Sequence, residues 1–521
     1  MQPLCPQEFS LWQNLGVKKA IITVLVLCLC VCGYVVADVA DAVPGFLTIK
    51  PHEDAPQPYP SVRSAQNSQD QASHGAADEK APAPASADVQ RILDALAADE
   101  NIDGGHVGAL VVDAATGTRL GGVGESEAMI PASTMKIITA YAALTELEPD
   151  RTFSTETKLA GNDLYLVGGG DIMLAPDQGN PTATDGRAGL GDLARATADQ
   201  LTKQKISSVQ LYVDMSAYGE PLYEPSVLED DSQAWVMESY PLAVQRALVD
   251  PARPDMQHRT GAADEALKVF AQRLKEAGID AHIGGINPAP AEAKKMASVQ
   301  SAPLRDIVKE MLKISDNSIA ENLAHQLAVH RGEKGTFAAG AQAVREILTE
   351  HGISMDQAIL KDASGLSSQN RITAKILVDL LSDAYECDAK QINAQHRGTR
   401  AQVSEDQAEG KRLAGKKPEE KRAREKQPES SSMQCVTTQM GGGMPISALD
   451  GTLASRLGDE AAGRVRAKTG SLDTVASLSG YLYTKSGRPL IFAIILNARE
   501  GGSPAGFRPA IDKAVQALVA L

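Results

Sequence analysis

The sequence predicts an α/β fold: an antiparallel sheet flanked by helices, assembled from both ends of the chain and interrupted by an inserted smaller module. Three observations carry this. VRAKTGS, ASLSGYLYT and PLIFAIILNA read as three successive strands near the C-terminus, with Lys485-Ser486-Gly487-Arg488 as a turn between the last two. A helix, a hairpin and a second helix open the ordered part of the chain. Between them, residues 151–299 change to short strands (TKLAGNDLYLVGG, VQLYVD) separated by Gly- and Pro-rich loops, with helices near 188–203 and 264–277.

At 521 residues the chain is long enough for two or three units and a large core. A formal net charge of -15 argues against a nucleic-acid partner, whose footprint would be a basic patch. The N-terminus is more informative. Lys18 and Lys19 precede an uncharged apolar run, Ala20 to Ala37, of about 27 Å as a helix. That is just enough to cross a bilayer core, and the basic flank places residues 1–19 in the cytoplasm and everything downstream outside. Ala40-Asp41-Ala42 offers a small-residue cleavage pattern, so 20–37 reads either as a retained membrane anchor or as a signal segment. Both readings export the body of the chain to the cell envelope. Cys387 and Cys435 are the two cysteines beyond the run, and either pair as a disulfide or remain free thiols.

Residues 38–87 are rich in Pro, Ala, Ser, Gln and Asp, with few large apolar side chains after residue 50, and read as a disordered linker. Its flexible part would reach about 35 Å. Ordered sequence is expected from Asp88, where Val89, Ile92, Leu93 and Leu96 follow helical spacing. Val107 to Val112 and Arg119 to Val123 form a hairpin around a turn ending at Gly117. PASTMKIITAYAALTEL is a helix started at Pro131 and Ser133, with Ile137, Tyr141 and Leu144 on its apolar side. A second helical region runs from Pro303 to Leu348, and Phe507 to Leu521 closes the chain as an amphipathic helix. Residues 88–150 and 300–521 therefore make one domain. Residues 388–434, a Gln, Lys, Arg and Glu mixture, read as a disordered charged insertion in it.

Three short motifs carry chemistry. Ser133-Thr-Met-Lys136 sets a hydroxyl and an amine three apart on one helical face, and Ser133 is the only serine here with a lysine at that spacing. A serine hydroxyl needs a base to become a nucleophile, and a desolvated lysine can be one. Taken alone the tetrapeptide is weak, but its flanks are apolar, as suits a buried helix. Ser315-Asp316-Asn317 lies at a junction between helical runs, where an ordinary helix cap would also use these residues. Lys468-Thr469-Gly470-Ser471 lies on a strand. The three in this order match the Ser-x-x-Lys, Ser-Asp-Asn and Lys-Thr-Gly series of serine acyl-enzymes.

With these motifs, over 88–521 apart from 388–434, the chain resembles the class C low-molecular-mass penicillin-binding proteins, the D-alanyl-D-alanine carboxypeptidase/endopeptidase family. Further stretches carry the likeness: Gly168-Gly-Gly-Asp171, Asp214 with Tyr218, Asp362-Ala-Ser-Gly-Leu-Ser367, Asn370 to Thr373, and Ile446 to Leu457. Ile172, Ala363 and Ser368 depart from the family's usual Pro, Gly and Arg. The resemblance implies a penicillin-binding/β-lactamase-like transpeptidase domain acting on peptidoglycan stem peptides, with β-lactams as inhibitors and no cofactor or metal. It implies Ser133 as nucleophile, Lys136 as its base and Ser315 as proton relay to the leaving D-alanine. Asn317 would hold the substrate amide, Lys468, Thr469 and Gly470 would line the carboxylate site, and the N–H groups of Ser133 and Ser471 would form the oxyanion hole. A β-lactamase of the same fold and a non-catalytic wall-binding protein are the alternatives.

Overall fold

A computed structural model describes residues 78–251, 257–385 and 437–521. The expected stretches 1–19 and 20–37, the linker up to 77, the Cys387–Cys435 pairing and the insertion 388–434 lie outside the described residues. Among the described residues no helix is long and apolar enough to cross a membrane.

The part of the chain assembled from both ends of the sequence is built on a five-stranded antiparallel sheet. Strands β10 (Val465–Leu472), β11 (Val475–Tyr483) and β12 (Pro489–Asn497) come from the C-terminal part, and β1 (His106–Asp113) and β2 (Arg119–Val123) from the N-terminal hairpin. The order β10-β11-β12-β1-β2 joins the two ends of the sequence through β1 and β12, from His106↔Asn497 to Asp113↔Leu490. Strand β12 is buried on both faces, and its period of two divides it between two cores. Leu490, Phe492, Ile494 and Leu496 meet helices α1 (Ser86–Ala97) and α8 (Phe507–Val519). Ile491, Ala493 and Ile495 join the core formed with α2 (Met135–Glu146), α5 (Leu304–Ile314), α6 (Asn317–His330) and α7 (Phe337–Glu350).

In keeping with the apolar flanks of its sequence, every residue of α2 from Met135 to Leu144 is buried, because α2 is packed inside the helical layer. One expectation needs correction here: order begins before Asp88. The Asp78 N–H donates to the Gly487 carbonyl (2.9 Å), and Arg488 donates to the carbonyls of Glu79 and Ala81. The same guanidinium forms a two-pronged pair with Asp113, 2.8 Å on each arm, with the carboxylate 1% exposed. A buried guanidinium must find acceptors for its N–H groups, and the backbone of 79–81 supplies them, a role invisible in composition.

The inserted module has its own sheet, β8-β6-β4-β3-β9: β3 (Ser154–Ala160), β4 (Asp163–Val167), β6 (Ser208–Asp214), β8 (Asp280–Ile286) and β9 (Lys294–Gln300). Strands β4, β6 and β8 are parallel neighbours, so long crossovers must link them, and these carry α3 (Leu190–Lys203) and α4 (Ala262–Glu276) on one face. The chain enters on β3 and leaves on β9, which pair from Ser154↔Gln300, so the module departs from and returns to one place. It is not wholly separate, however. Strand β5 (Asp171–Leu174) pairs with β7 (Leu242–Val244), and Ile172, Met173, Met237, Ala243 and Ala247 pack into the catalytic core.

Removing one partner of a buried ion pair leaves a charge without compensation. Arg488→Met is therefore expected to lower unfolding free energy by about 3 kcal/mol in urea denaturation. It should also make the chain near residues 79–81 newly sensitive to limited proteolysis.

Candidate active site

Ser133 sits in a one-turn 3-10 segment, Ala132–Thr134, that runs directly into α2. Its position is fixed from two sides. Ser477 Oγ on β11 donates to the Pro131 carbonyl (2.7 Å), as does Thr134 Oγ1 (2.7 Å). On the other side the loop 362–367 slides beneath the turn. Gly365 is in the left-handed region (φ 81°), and a Cβ there would fall on the Ala132 carbonyl, so this approach requires glycine.

Lys136 lies one turn after Ser133 and is fully buried. Its Nζ is 3.0 Å from Ser133 Oγ, 2.7 Å from Asn317 Oδ1 and 2.7 Å from the Ser364 carbonyl. The last two atoms can only accept, so they take two N–H bonds of the amine. A neutral amine then has one lone pair left, and it faces the Ser133 hydroxyl. Burial lowers the Lys136 pKa to about 8, against the opposing pull of Asp362, Glu321 and Asp316.

The second motif caps a helix and also reaches the cleft. Ser315 ends α5 in the left-handed region (φ 65°), which turns the chain so that Asp316 caps α6 by accepting from the Ile319 N–H (2.8 Å). Asp316 thus serves the helix, while Ser315 and Asn317 are partly exposed in the cleft. Asn317 Nδ2 donates to the Trp235 carbonyl (2.9 Å), so a segment of the inserted module orients the amide.

Strand β10 is an edge strand, and its fully buried Lys468 is 2.8 Å from Ser315 Oγ and 2.7 Å from the Thr469 carbonyl. Burial depresses the Lys468 pKa well below the usual lysine value, and the Lys136 charge adds to this. The Val465 and Ala467 N–H groups donate outward, to Ser447 Oγ and the Pro445 carbonyl (both 3.1 Å). By the pleat's period of two, the Ser471 N–H faces the same outer edge. Gly470 has its Cα against the Ser133 turn: a Cβ would meet Ser477 Oγ, the Pro131 carbonyl (2.9 Å) and Ser133 N (3.0 Å). Thr469 Oγ1 is paired with Thr452 Oγ1 (2.8 Å).

Ser133, Lys136, Ser315, Asn317, Lys468 and Gly470 are therefore brought together, with Thr469 and Ser471 beside them on β10. Behind them stand groups that the sequence reading did not single out. Glu321 on α6 accepts from the Ala363 and Ser364 N–H groups (3.0 and 2.8 Å) and so holds the carbonyl of Ser364 toward Lys136. It lies four residues after Asn317, on the same helical face, which was the available signal. Burial pushes its carboxyl up, and neighbouring Asp362 adds to this. Of the departures from the family pattern, Ala363 donates to Glu321, Ser368 Oγ donates to Asp230 (2.8 Å) and Ile172 is core.

A serine hydroxyl next to a buried amine, a second hydroxyl beside another buried amine, and a strand edge presenting an N–H are the arrangement that serine acyl-enzyme chemistry requires. The chain belongs to the D-Ala-D-Ala carboxypeptidase 3 (S13) family, whose model matches residues 89–250, 242–396 and 430–518. It is 31% identical over 449 residues to a carboxypeptidase, DacB, of Mycolicibacterium smegmatis, covering 84% of each chain. It is 30% identical over 433 residues to a carboxypeptidase of Mycobacterium tuberculosis, covering 80% of this chain and 81% of the relative. In fold it is similar to penicillin-binding protein 4 of Haemophilus influenzae, at a TM-score of 0.56 and 19% identity, over 82% of this chain and 97% of that one. It is accordingly a serine-type D-Ala-D-Ala carboxypeptidase.

Gly470→Ala forces β10 away from Ser133. Because misplacement by about 1 Å costs on the order of 10²-fold in rate, penicillin acylation should slow by about that factor while the thermal midpoint drops by only a few degrees. Stopped-flow acylation beside a melting curve measures both.

Proposed function

We propose that Ser133 is the acylated nucleophile of this carboxypeptidase and that Lys136 is its general base. The observation carrying this is the three-way placement of Lys136 Nζ, with two partners that only accept and Ser133 Oγ as the third. Ser133 Oγ attacks the carbonyl carbon of the D-alanyl-D-alanine bond as its proton passes to Lys136. The resulting oxyanion is met by the N–H groups of Ser133 and Ser471. The C–N bond then breaks, and the departing amine takes a proton relayed through Ser315, which lies against Lys468. The contact of Ser315 Oγ with Lys468 Nζ (2.8 Å) supports that route. Water hydrolyses the ester and returns the enzyme. Asn317 holds the substrate amide, while Lys468, Thr469 and Gly470 line the site of the terminal carboxylate. A β-lactam places its own amide at the same carbonyl position and leaves the ester on Ser133.

The substrate class that fits is the peptidoglycan stem peptide. The export reading of Lys18, Lys19 and the apolar run 20–37 supports a catalytic domain outside the cytoplasm, next to that polymer.

Ser133→Ala is expected to abolish labelling by a fluorescent penicillin and to cut D-alanine release from a D-Ala-D-Ala pentapeptide by about 10⁴-fold or more. Rapid release of hydrolysed penicillin by the wild-type protein would point instead to a β-lactamase, and neither labelling nor release to a binding protein. The base must be neutral to act. With the Lys136 pKa at about 8, kcat/KM should therefore fall as pH drops below 8 and level off above it, in a pH–rate profile on the same peptide.

A further inference from the structure

The middle residue of the Ser315-Asp316-Asn317 motif has no place in the scheme above, yet its carboxylate is fully buried. One oxygen caps α6 through the Ile319 N–H (2.8 Å), and the other accepts from Arg246 Nη1 at 2.6 Å. Arg246 belongs to the excursion of the inserted segment that packs into the catalytic core, and its side chain is 5% exposed. The backbone around it is unusual. Gln245, Arg246 and Ala247 lie consecutively in the left-handed region, with φ of 47°, 56° and 50°. None is glycine, so the surroundings must hold this run in place. They do so at both ends of Arg246. Its carbonyl lies 2.7 Å from His258 Nδ1, and His258 Nε2 is 3.2 Å from Ser318 Oγ on the first turn of α6. Its Nη2 donates to Asp185 at 2.5 Å.

We propose that Arg246 is a positioning residue for acyl transfer: reaching from the inserted segment, it holds the Asp316 carboxylate and cancels its charge, and so fixes Ser315 and Asn317 in the cleft. The neighbours of Asp316 explain why one bond governs both. Ser315 Oγ meets Lys468 and Asn317 Oδ1 meets Lys136, so a swing of the backbone at Asp316 moves the relay and the amide together. Charge adds a second effect. The groups acting on Lys136 are Asp362, Glu321, Asp316 and Lys468, and those around Arg246 are Asp316, Asp185, Glu310 and His258. Burial alone would raise the Asp316 carboxyl, but Arg246, with help from His258 and the Ile319 N–H, holds it below its ordinary value. Without the guanidinium, Asp316 would oppose deprotonation of Lys136 more strongly.

The inference rests on Lys136 being the base, and the experiment separates the two claims. Full-length wild type, R246M, R246K and D185N would be titrated with fluorescent penicillin to count active sites. Acylation rate, kcat and KM would then be measured per site across pH, beside thermal midpoints. R246M is expected to lose about 10²-fold in kcat with little change in KM, and its acid limb to move up by about half a unit to one unit. R246K should bring the limb back, because the charge returns, while recovering only part of the rate, because an ammonium cannot bridge Asp316 and Asp185 as the guanidinium fork does. A merely structural role would lower the midpoint and the site count and leave the limb in place. That result, or a wild-type per-site rate in R246M, overturns the inference. Should R246M yield no labelled protein, D185N decides. Removing Asp185 leaves more of the guanidinium charge facing Asp316, so the limb should move down, and an unmoved limb overturns the inference. If wild type shows no acid limb near pH 8, or Lys136→Ala acylates normally, it is the assignment of the base that fails.

Discussion

A primary amine without contact with water is expensive to keep charged, and the architecture is arranged around one such amine, that of Lys136. Its three oxygen neighbours come from positions 133, 317 and 364, so three segments far apart in sequence must be held within hydrogen-bond distance of one atom. Each is secured by something other than the lysine. The Ser133 turn hangs from β11 through Ser477, Asn317 is held by the Asp316 cap and the Trp235 carbonyl, and Ser364 is held by Glu321. The opposing charges of Asp362, Glu321 and Asp316 keep burial from depressing the amine further than it does. The balance leaves an amine with a pKa of about 8, the range in which the proposed proton transfers in both directions are useful.

The sheet and the inserted segment divide the remaining work. The sheet supplies the rigid edge: β10 carries Lys468 inward and, by alternation, the Ser471 N–H outward, while glycine at 470 lets that strand lie against the Ser133 turn. The inserted segment supplies orientation from behind. Its Trp235 carbonyl and its Arg246 guanidinium each grip one residue of the Ser-Asp-Asn motif. This explains why the module is not a freely attached domain and why parts of 168–262 are packed into the catalytic core.

Legibility in the sequence followed the range of the physics. The C-terminal strands were readable because β12 is apolar throughout and bounded by turn residues, and the hairpin because Val107 to Val112 are flanked by polar turns. Helix α2 was readable as a buried helix from the apolar residues around Ser133 and Lys136, and the structure buries all of Met135 to Leu144. Residues 78–87 misled, because they are held through backbone carbonyls on Arg488 rather than through apolar side chains. Arg246 carries no local signal, as its role depends on an acid 70 residues away in the chain.

What the sequence determined by itself was the inventory and the local spacing: a hydroxyl and an amine one helical turn apart, a cap-forming Ser-Asp-Asn, and a Lys-Thr-Gly strand, all set by short-range backbone geometry. Tertiary structure alone decided the state of those groups. Whether Lys136 is a base, whether Asp316 is an ion and which way the Asn317 amide turns depend on burial and on charges brought in from other segments, and neither is a property of neighbours along the chain.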